Sequence, residues 1–253
     1  MASLTYGLSI LKFLVFSKEP RRLKDISREV GISSSTAFRI MDALQQGEWV
    51  TRNPKTKTYT FGNRLLELSF SLVSQLNLAN VSLPYLKELY HNVNESVMLT
   101  ARVGLERMYV HQIQSSHELR PVVELGMRLP LWLGAPGKII LAHIEGKEMD
   151  SVIQDLKKSK RHVFASGKEI EIGKLRKELM SIKRQGYCIT SGDRVIGMNA
   201  VAAPIFGHDR KIIGAISLGG PVSRFSTQTA TGYAALLCDI AEEISLKLQH
   251  SAT

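Results

Sequence analysis

At 253 residues, 44% of them hydrophobic, the chain has room for one small and one medium domain, each with its own core. Lys and Arg number 33 against 23 Asp and Glu, a balance of +10, and positions 1–80 hold 11 basic and 6 acidic residues. That part is about twice as charge-dense as the rest, as suits a nucleic-acid module. Cys188 and Cys238 have no paired spacing, and no apolar run reaches transmembrane length or follows a signal-peptide pattern. A disulfide scaffold and a membrane protein are thereby excluded, and a cytoplasmic protein with reduced thiols is expected.

Residues 5–16, TYGLSILKFLVF, are apolar on nearly all sides, with Leu8, Leu11, Phe13, Leu14 and Val15. A short helix of this kind packs one face on its own domain, and the surplus face points to dimerisation. Residues 23–61, LKDISREVGISSSTAFRIMDALQQGEWVTRNPKTKTYTF, then predict a winged helix-turn-helix. Leu23, Ile26 and Val30 lie at helical spacing before Gly31, where a chain leaving a helix favours positive φ. Ser33, Ser34 and Ser35 can cap the next helix, and Ala37, Ile40, Met41 and Leu44 form its inward stripe. Its other face offers Ser34, Ser35, Thr36, Arg39 and Asp42, and Arg39 is the expected base reader. Trp49 and Val50 lead through Arg52, Asn53, Pro54, Lys55 and Lys57 to 59–61, two strands joined by a basic turn. Such a wing adds affinity for phosphates without sequence information through Arg52, Lys55 and Lys57.

Gly62 and Asn63 open a further helix, 64–79, read as a linker. The expected domains are therefore 1–62 for DNA binding, 63–79 for the linker helix and 80–253 for the rest. In the last region Pro84 is placed in the first turn of a helix ending near Asn92. Strands are predicted at 96–103, 107–113 and 119–124, and helices at 135–143, 148–157 and 168–183, the last ending at Gly186. Three more strands, 187–190, 199–206 and 211–218, include a hairpin turning at 207–210, and a helix over 226–248 closes the domain. The fold class is α/β of the α+β kind, a largely antiparallel sheet with helices packed on it and a ligand enclosed.

Five stretches in order carry a resemblance: GISSSTAFRIMDALQQGEWV, YTFGNRLLEL, RLPLWLGAPGKIILA, RQGYCITSGDRVIGMNAVAAPIF and IIGAISLGGPVSRF. Over nearly its whole length the chain is similar to the IclR family of bacterial transcriptional regulators. The resemblance implies a winged helix, a linker helix and a GAF-like effector domain, assembled as homodimers or dimers of dimers on near-palindromic double-stranded operator DNA. It implies a small-molecule effector too, an organic or aromatic acid. Carried over position by position, the effector site falls on Gly134, Ala135, Pro136, Thr190, Ala200, Ser217 and Gly219. Backbone N–H groups at the helix start suit a carboxylate, although Pro136 removes one donor. Three usual polar positions are lost, which predicts a less polar pocket, and Trp132 nearby favours a larger or aromatic effector.

No enzyme chemistry is expected. LGAPGKII resembles a phosphate-binding loop, but the Walker spacing needs Gly at Trp132 and Ser or Thr at Ile139. The histidines, at 91, 111, 117, 143, 162, 208 and 250, contain no i, i+4 pair, so neither metal nor cofactor is expected. Cys188 within YCIT is read as inert core. A ligand-blind regulator whose second domain only oligomerises, and an enzyme or binding module, remain the alternative readings.

Overall fold

The computed structural model describes residues 2–17, 19–68, 77–144, 146–158, 163–207 and 210–250. The chain separates into two compact units, Met1–Leu76 and Asn77–Thr253. The first contains α1 (Ala2–Val15), β1 (Arg21–Arg22), α2 (Leu23–Val30), α3 (Ser34–Gln46), β2 (Val50–Arg52) and β3 (Thr58–Phe61). Ile10 and Leu14 of α1, Ile26 of α2, Ile40 and Met41 of α3, and Val50 and Tyr59 of the strands form its core. Gly31 ends α2 at φ 71°, as its position between two helices requires. The outer face of α1 leaves Leu4, Leu8 and Val15 exposed.

The strand order is β1-β3-β2, and β1 lies outside the sequence-based expectation. Arg21 and Arg22 pair antiparallel with Tyr59 and Thr58. Two charged residues carry no period-two pattern, and an edge strand of that length needs only its backbone groups. Of the expected linker helix, 63–68 are helical, 69–76 lie outside the described residues, and 77–79 belong to the next unit's first helix.

The second unit runs α4 (Asn77–Val93), β4 (Ser96–Val103), β5 (Glu106–Ile113), β6 (Arg128–Pro130), α5 (Gly134–His143), α6 (Lys147–Lys158), α7 (Ile172–Gln185), β7 (Cys188–Ser191), β8 (Met198–Phe206), β9 (Ile212–Pro221), α8 (Thr227–Gly232) and α9 (Ala234–His250). Its sheet has the order β6-β5-β4-β9-β8-β7, with every pairing antiparallel. Alternation along the strands feeds a core on each face. Val97, Leu99, Val201, Ile216 and Leu218 pack with Leu86 and Leu89 of α4 and Leu237 and Ile244 of α9. On the other side Ala202 and Ala215 meet Ile139 and Ile140 of α5, Ile153 of α6 and Leu175 and Leu179 of α7.

Four local expectations are corrected. Pro84 sits inside α4 rather than in a first turn. The ring costs the helix a hydrogen bond, and burial of Leu78, Leu86 and Leu89 on either side holds it together. Residues 119–124 form no strand. Side chains bind that segment instead: Gln112 Nε2 donates to Pro121 O at 2.9 Å, and Val123 N donates to Gln112 Oε1 at 3.1 Å. Pro121 has no N–H to give a ladder. Helix α7 starts at Ile172 rather than 168, because residues 168 and 169 are drawn into a turn and bridge with Phe164 and Val163. The closing helix breaks at Tyr233, whose ring stacks on Phe225 with centroids 6.2 Å apart. The Thr-rich TQTATG ahead of the break has weak helix propensity, and it ends in Gly232.

Candidate nucleic-acid interface and effector cavity

In the first unit the apolar stripe of α3 turns Ala37, Ile40 and Met41 inward, so Ser34, Ser35, Thr36, Arg39 and Asp42 are all exposed. Ser33 is the N-cap: its Oγ accepts from Thr36 N–H at 3.2 Å. This fixes the first turn, the part of a recognition helix that meets base edges. Phe38, which the sequence reading left unassigned, is 53% exposed between Ser34 and Asp42 at helical spacing. An apolar ring on that face suits contact with a thymine methyl.

The turn of the wing is shaped by Asn53, whose Oδ1 accepts from Lys55 N–H at 2.9 Å and Thr56 N–H at 3.2 Å. Lys57 takes a positive φ of 56° and donates its N–H to Asn53 O at 2.9 Å. Arg52, Lys55 and Lys57 are all exposed on this hairpin. Arg52 also lies over the Tyr59 ring, 5.7 Å from its centroid.

In the second unit one cavity of about 60 Å³ is lined by all seven residues expected from the resemblance: Gly134, Ala135, Pro136, Thr190, Ala200, Ser217 and Gly219. Sheet register explains why. Thr190 pairs with Ala200, Ala200 with Gly219, and Ser217 lies between Ala202 and Met98, so small residues floor the cavity in adjacent rows. A Cβ on Gly219 would stand 3.2 Å from Met98 Cε.

The helix start contributes less than expected. Ala135 N–H already donates to Thr190 Oγ1 at 3.1 Å, and Pro136 has no N–H. Trp132 is absent from the lining and packs against the core beneath α5, so it provides no argument for an aromatic ligand.

Polarity arrives from residues the sequence reading passed over. Arg107, Tyr109, Asp193, Arg194 and Asn199 line the same cavity, whose walls are otherwise mainly apolar. Arg107 is 1% exposed. Its Nη2 donates to Leu133 O at 3.0 Å, while Nε and Nη1 have no partner among the described residues. Burial lowers its pKa, an effect Tyr109 opposes and Arg194 reinforces. Gly137 makes the space, since a Cβ there would lie 3.0 Å from Arg107 Nε and 2.6 Å from Leu131 O. The available signal was period two in β5, which puts Arg107 and Tyr109 on one face.

Asp193 is held by Lys138, whose Nζ reaches Asp193 Oδ2 and Glu178 Oε1 at 2.8 Å each. Burial opposes the Lys138 ammonium, but Asp193 and Glu178 outweigh it and keep its pKa above the ordinary lysine value. Burial raises the Cys188 thiol far above the thiolate range, which removes it as a nucleophile.

A basic winged helix-turn-helix and, in a separate unit, an antiparallel α/β fold with an internal cavity define a class of DNA-binding regulator. Residues 3–54 match the model of the IclR helix-turn-helix domain, and residues 70–246 match that of the bacterial transcriptional regulator IclR C-terminal domain. The chain belongs to the IclR family of DNA-binding transcriptional regulators and is not an enzyme. It is 24% identical over 246 residues to the transcriptional repressor IclR of Escherichia coli K12, covering 96% of this chain and 89% of that one. The repressor AllR of the same strain is 26% identical over 246 residues, with 97% and 90% covered. Among solved structures, the Thermotoga maritima IclR superposes with a TM-score of 0.76 at 27% identity, covering 98% of this chain and 99% of the other. An IclR homologue from Microbacterium hydrocarbonoxydans, solved with 4-hydroxybenzoate, shares the fold at a TM-score of 0.84, 22% identity and 98% and 99% coverage. Among the described residues, no helix is long and apolar enough to cross a membrane.

Proposed function

We propose that this regulator is a repressor whose operator affinity is set by a small organic acid bound in the cavity of residues 77–253. The observation that carries the reading is the convergence of the seven residues carried over from the family resemblance, from four elements, on one cavity that also contains a buried guanidinium. Repression is the activity in the names of the IclR and AllR relatives, and a homologue of the same fold takes an aromatic acid. DNA recognition is assigned to Ser34, Ser35, Thr36 and Arg39 of α3, with Arg52, Lys55 and Lys57 on the backbone. The regulator acts as a homodimer or dimer of dimers, paired through the exposed apolar face of α1, on a near-palindromic site. In this scheme the domains are 1–62, the linker 63–79 and 80–253.

The test is mobility shift on a duplex selected from random sequence by the full-length protein, with and without a panel of organic acids. An acid that weakens the complex while raising the thermal midpoint of the free protein supports the reading. A panel that changes neither overturns it in favour of a ligand-blind regulator.

A further inference from the structure

Helix α3 leaves one aromatic ring on a face that is otherwise polar. Ser35, Phe38, Arg39 and Asp42 are exposed at i, i+3, i+4 and i+7, the spacing at which the recognition helix of a homeodomain presents its base-reading residues to the major groove. Two of the four are engaged within the helix. Ser35 Oγ shares a hydrogen bond with Ser33 Oγ at 3.0 Å, and Asp42 Oδ2 accepts from Gln46 Nε2 at 2.9 Å. Arg39 has no partner among the described residues, although Asp42 lies only one turn away.

Phe38 is 53% exposed, and its neighbours three and four places away on the exposed side, Ser34, Ser35 and Asp42, are polar. A single ring in that setting is too small a patch to seat a protein, which needs contiguous apolar surface. It does match the one apolar group that a major groove exposes, the C5-methyl of thymine. Guanine, adenine and unmodified cytosine show only donors and acceptors there. Consecutive Cα atoms stand about 3.8 Å apart and successive bases of a strand about 3.4 Å, so neighbouring side chains reach the same or adjoining base pairs.

We infer that Phe38 is a further specificity-determining residue, whose ring covers the methyl group of a thymine adjoining the guanine forked by Arg39. This rests on the proposed placement of α3 in the major groove and adds the apolar half of what its face reads. The contact follows the methyl group rather than the base, so 5-methylcytosine keeps it and uracil loses it.

Uracil scanning tests the inference, with the full-length protein and a duplex that it selects from random sequence. Each thymine is replaced singly by deoxyuridine, which removes the methyl group and leaves the O4 acceptor in place. Replacement at one thymine should weaken binding roughly three- to tenfold, the contribution of about one buried methyl group. Phe38→Ala should lose at least that factor on the thymine duplex and bind the thymine and uracil duplexes equally. Phe38→Leu, which keeps an apolar side chain, should retain part of the discrimination. Thermal midpoints of both variants should match the parent's, because the ring is half out of the core. With guanine opposite, 5-methylcytosine at that position should bind better than cytosine in the parent and no better in Phe38→Ala. Indifference to uracil at every thymine, or a uracil effect that persists in Phe38→Ala, overturns the methyl contact. A sensitive thymine more than one base pair from the guanine relaxed by Arg39→Ala overturns the side-by-side placement of the two readers. Parental operator binding by both Phe38→Ala and Arg39→Ala overturns the groove placement of α3 itself.

Discussion

Arg39 and Phe38 stand side by side on the exposed face of α3, yet they put different chemistry within reach of a duplex. A guanidinium can fork onto a guanine edge, so Arg39→Ala should cost roughly 1–3 kcal/mol in operator binding and relax preference at one base pair. Equal weakening of specific and random duplexes in competition binding would reassign Arg39 to the backbone. Histidine sets a second expectation. Burial, aided by Lys183 and opposed by the bond to Ile139 O, lowers His143, while burial and Lys87 lower His111. The unfolded chain then takes up these protons at higher pH than the folded one. The stability concerned is present above about pH 6.5 and is lost as pH falls through the lowered folded values. Thermal midpoints should decline on acidification from neutrality, and His143→Gln should flatten that limb; an unchanged limb would mean that other groups cause the decline.

Helix α3 was the most legible element, because a capping serine, an apolar stripe and a glycine-ended partner helix all predict the same thing locally. Removing the cap in Ser33→Ala should destabilise the DNA-binding unit by about 1 kcal/mol, read from its transition in chemical unfolding. No change would show that Ser34 or Ser35 takes over. On the wing, Lys55→Ala and Lys57→Ala should each weaken all duplexes alike and lower the salt dependence by about one unit per lost phosphate contact. Less of the second unit was readable. Pro84 misled because tertiary burial of Leu86 and Leu89 overrides a local helix breaker. Residues 119–124 misled because a short apolar run does not reveal that Gln112 will bind Pro121 and Val123 through its side chain. The cavity floor was legible by resemblance, since Gly134, Ala200 and Ser217 sit in recognisable stretches. Arg107 was not, because nothing local distinguishes a strand arginine facing solvent from one facing a cavity.

For the whole molecule, pairing two copies through α1 demands an operator of two half-sites, centred about one helical turn or a simple multiple apart. Leu8 is 60% exposed, so Leu8→Glu should leave the fold intact while lowering both self-association and operator affinity in sedimentation and footprinting. A variant that associates like the parent would move the interface elsewhere. The small strand β1 bears on this as a mechanical splint. Its two residues follow closely on α1 and are stitched to β3 in the wing through Tyr59 and Thr58. Arg21 of this strand also lies over the Phe13 ring of α1, 5.8 Å from its centroid, so in the proposed α1-paired assembly a shift of the wing would be felt by α1, and docking α1 against a second copy would steady the wing in return. Thermodynamic reciprocity then requires any factor by which the operator tightens pairing to reappear, unchanged, as the factor by which pairing tightens grip on the operator. Arg21→Pro, which puts a proline into this two-residue strand, should leave half-site binding near the parental level and erase that shared factor.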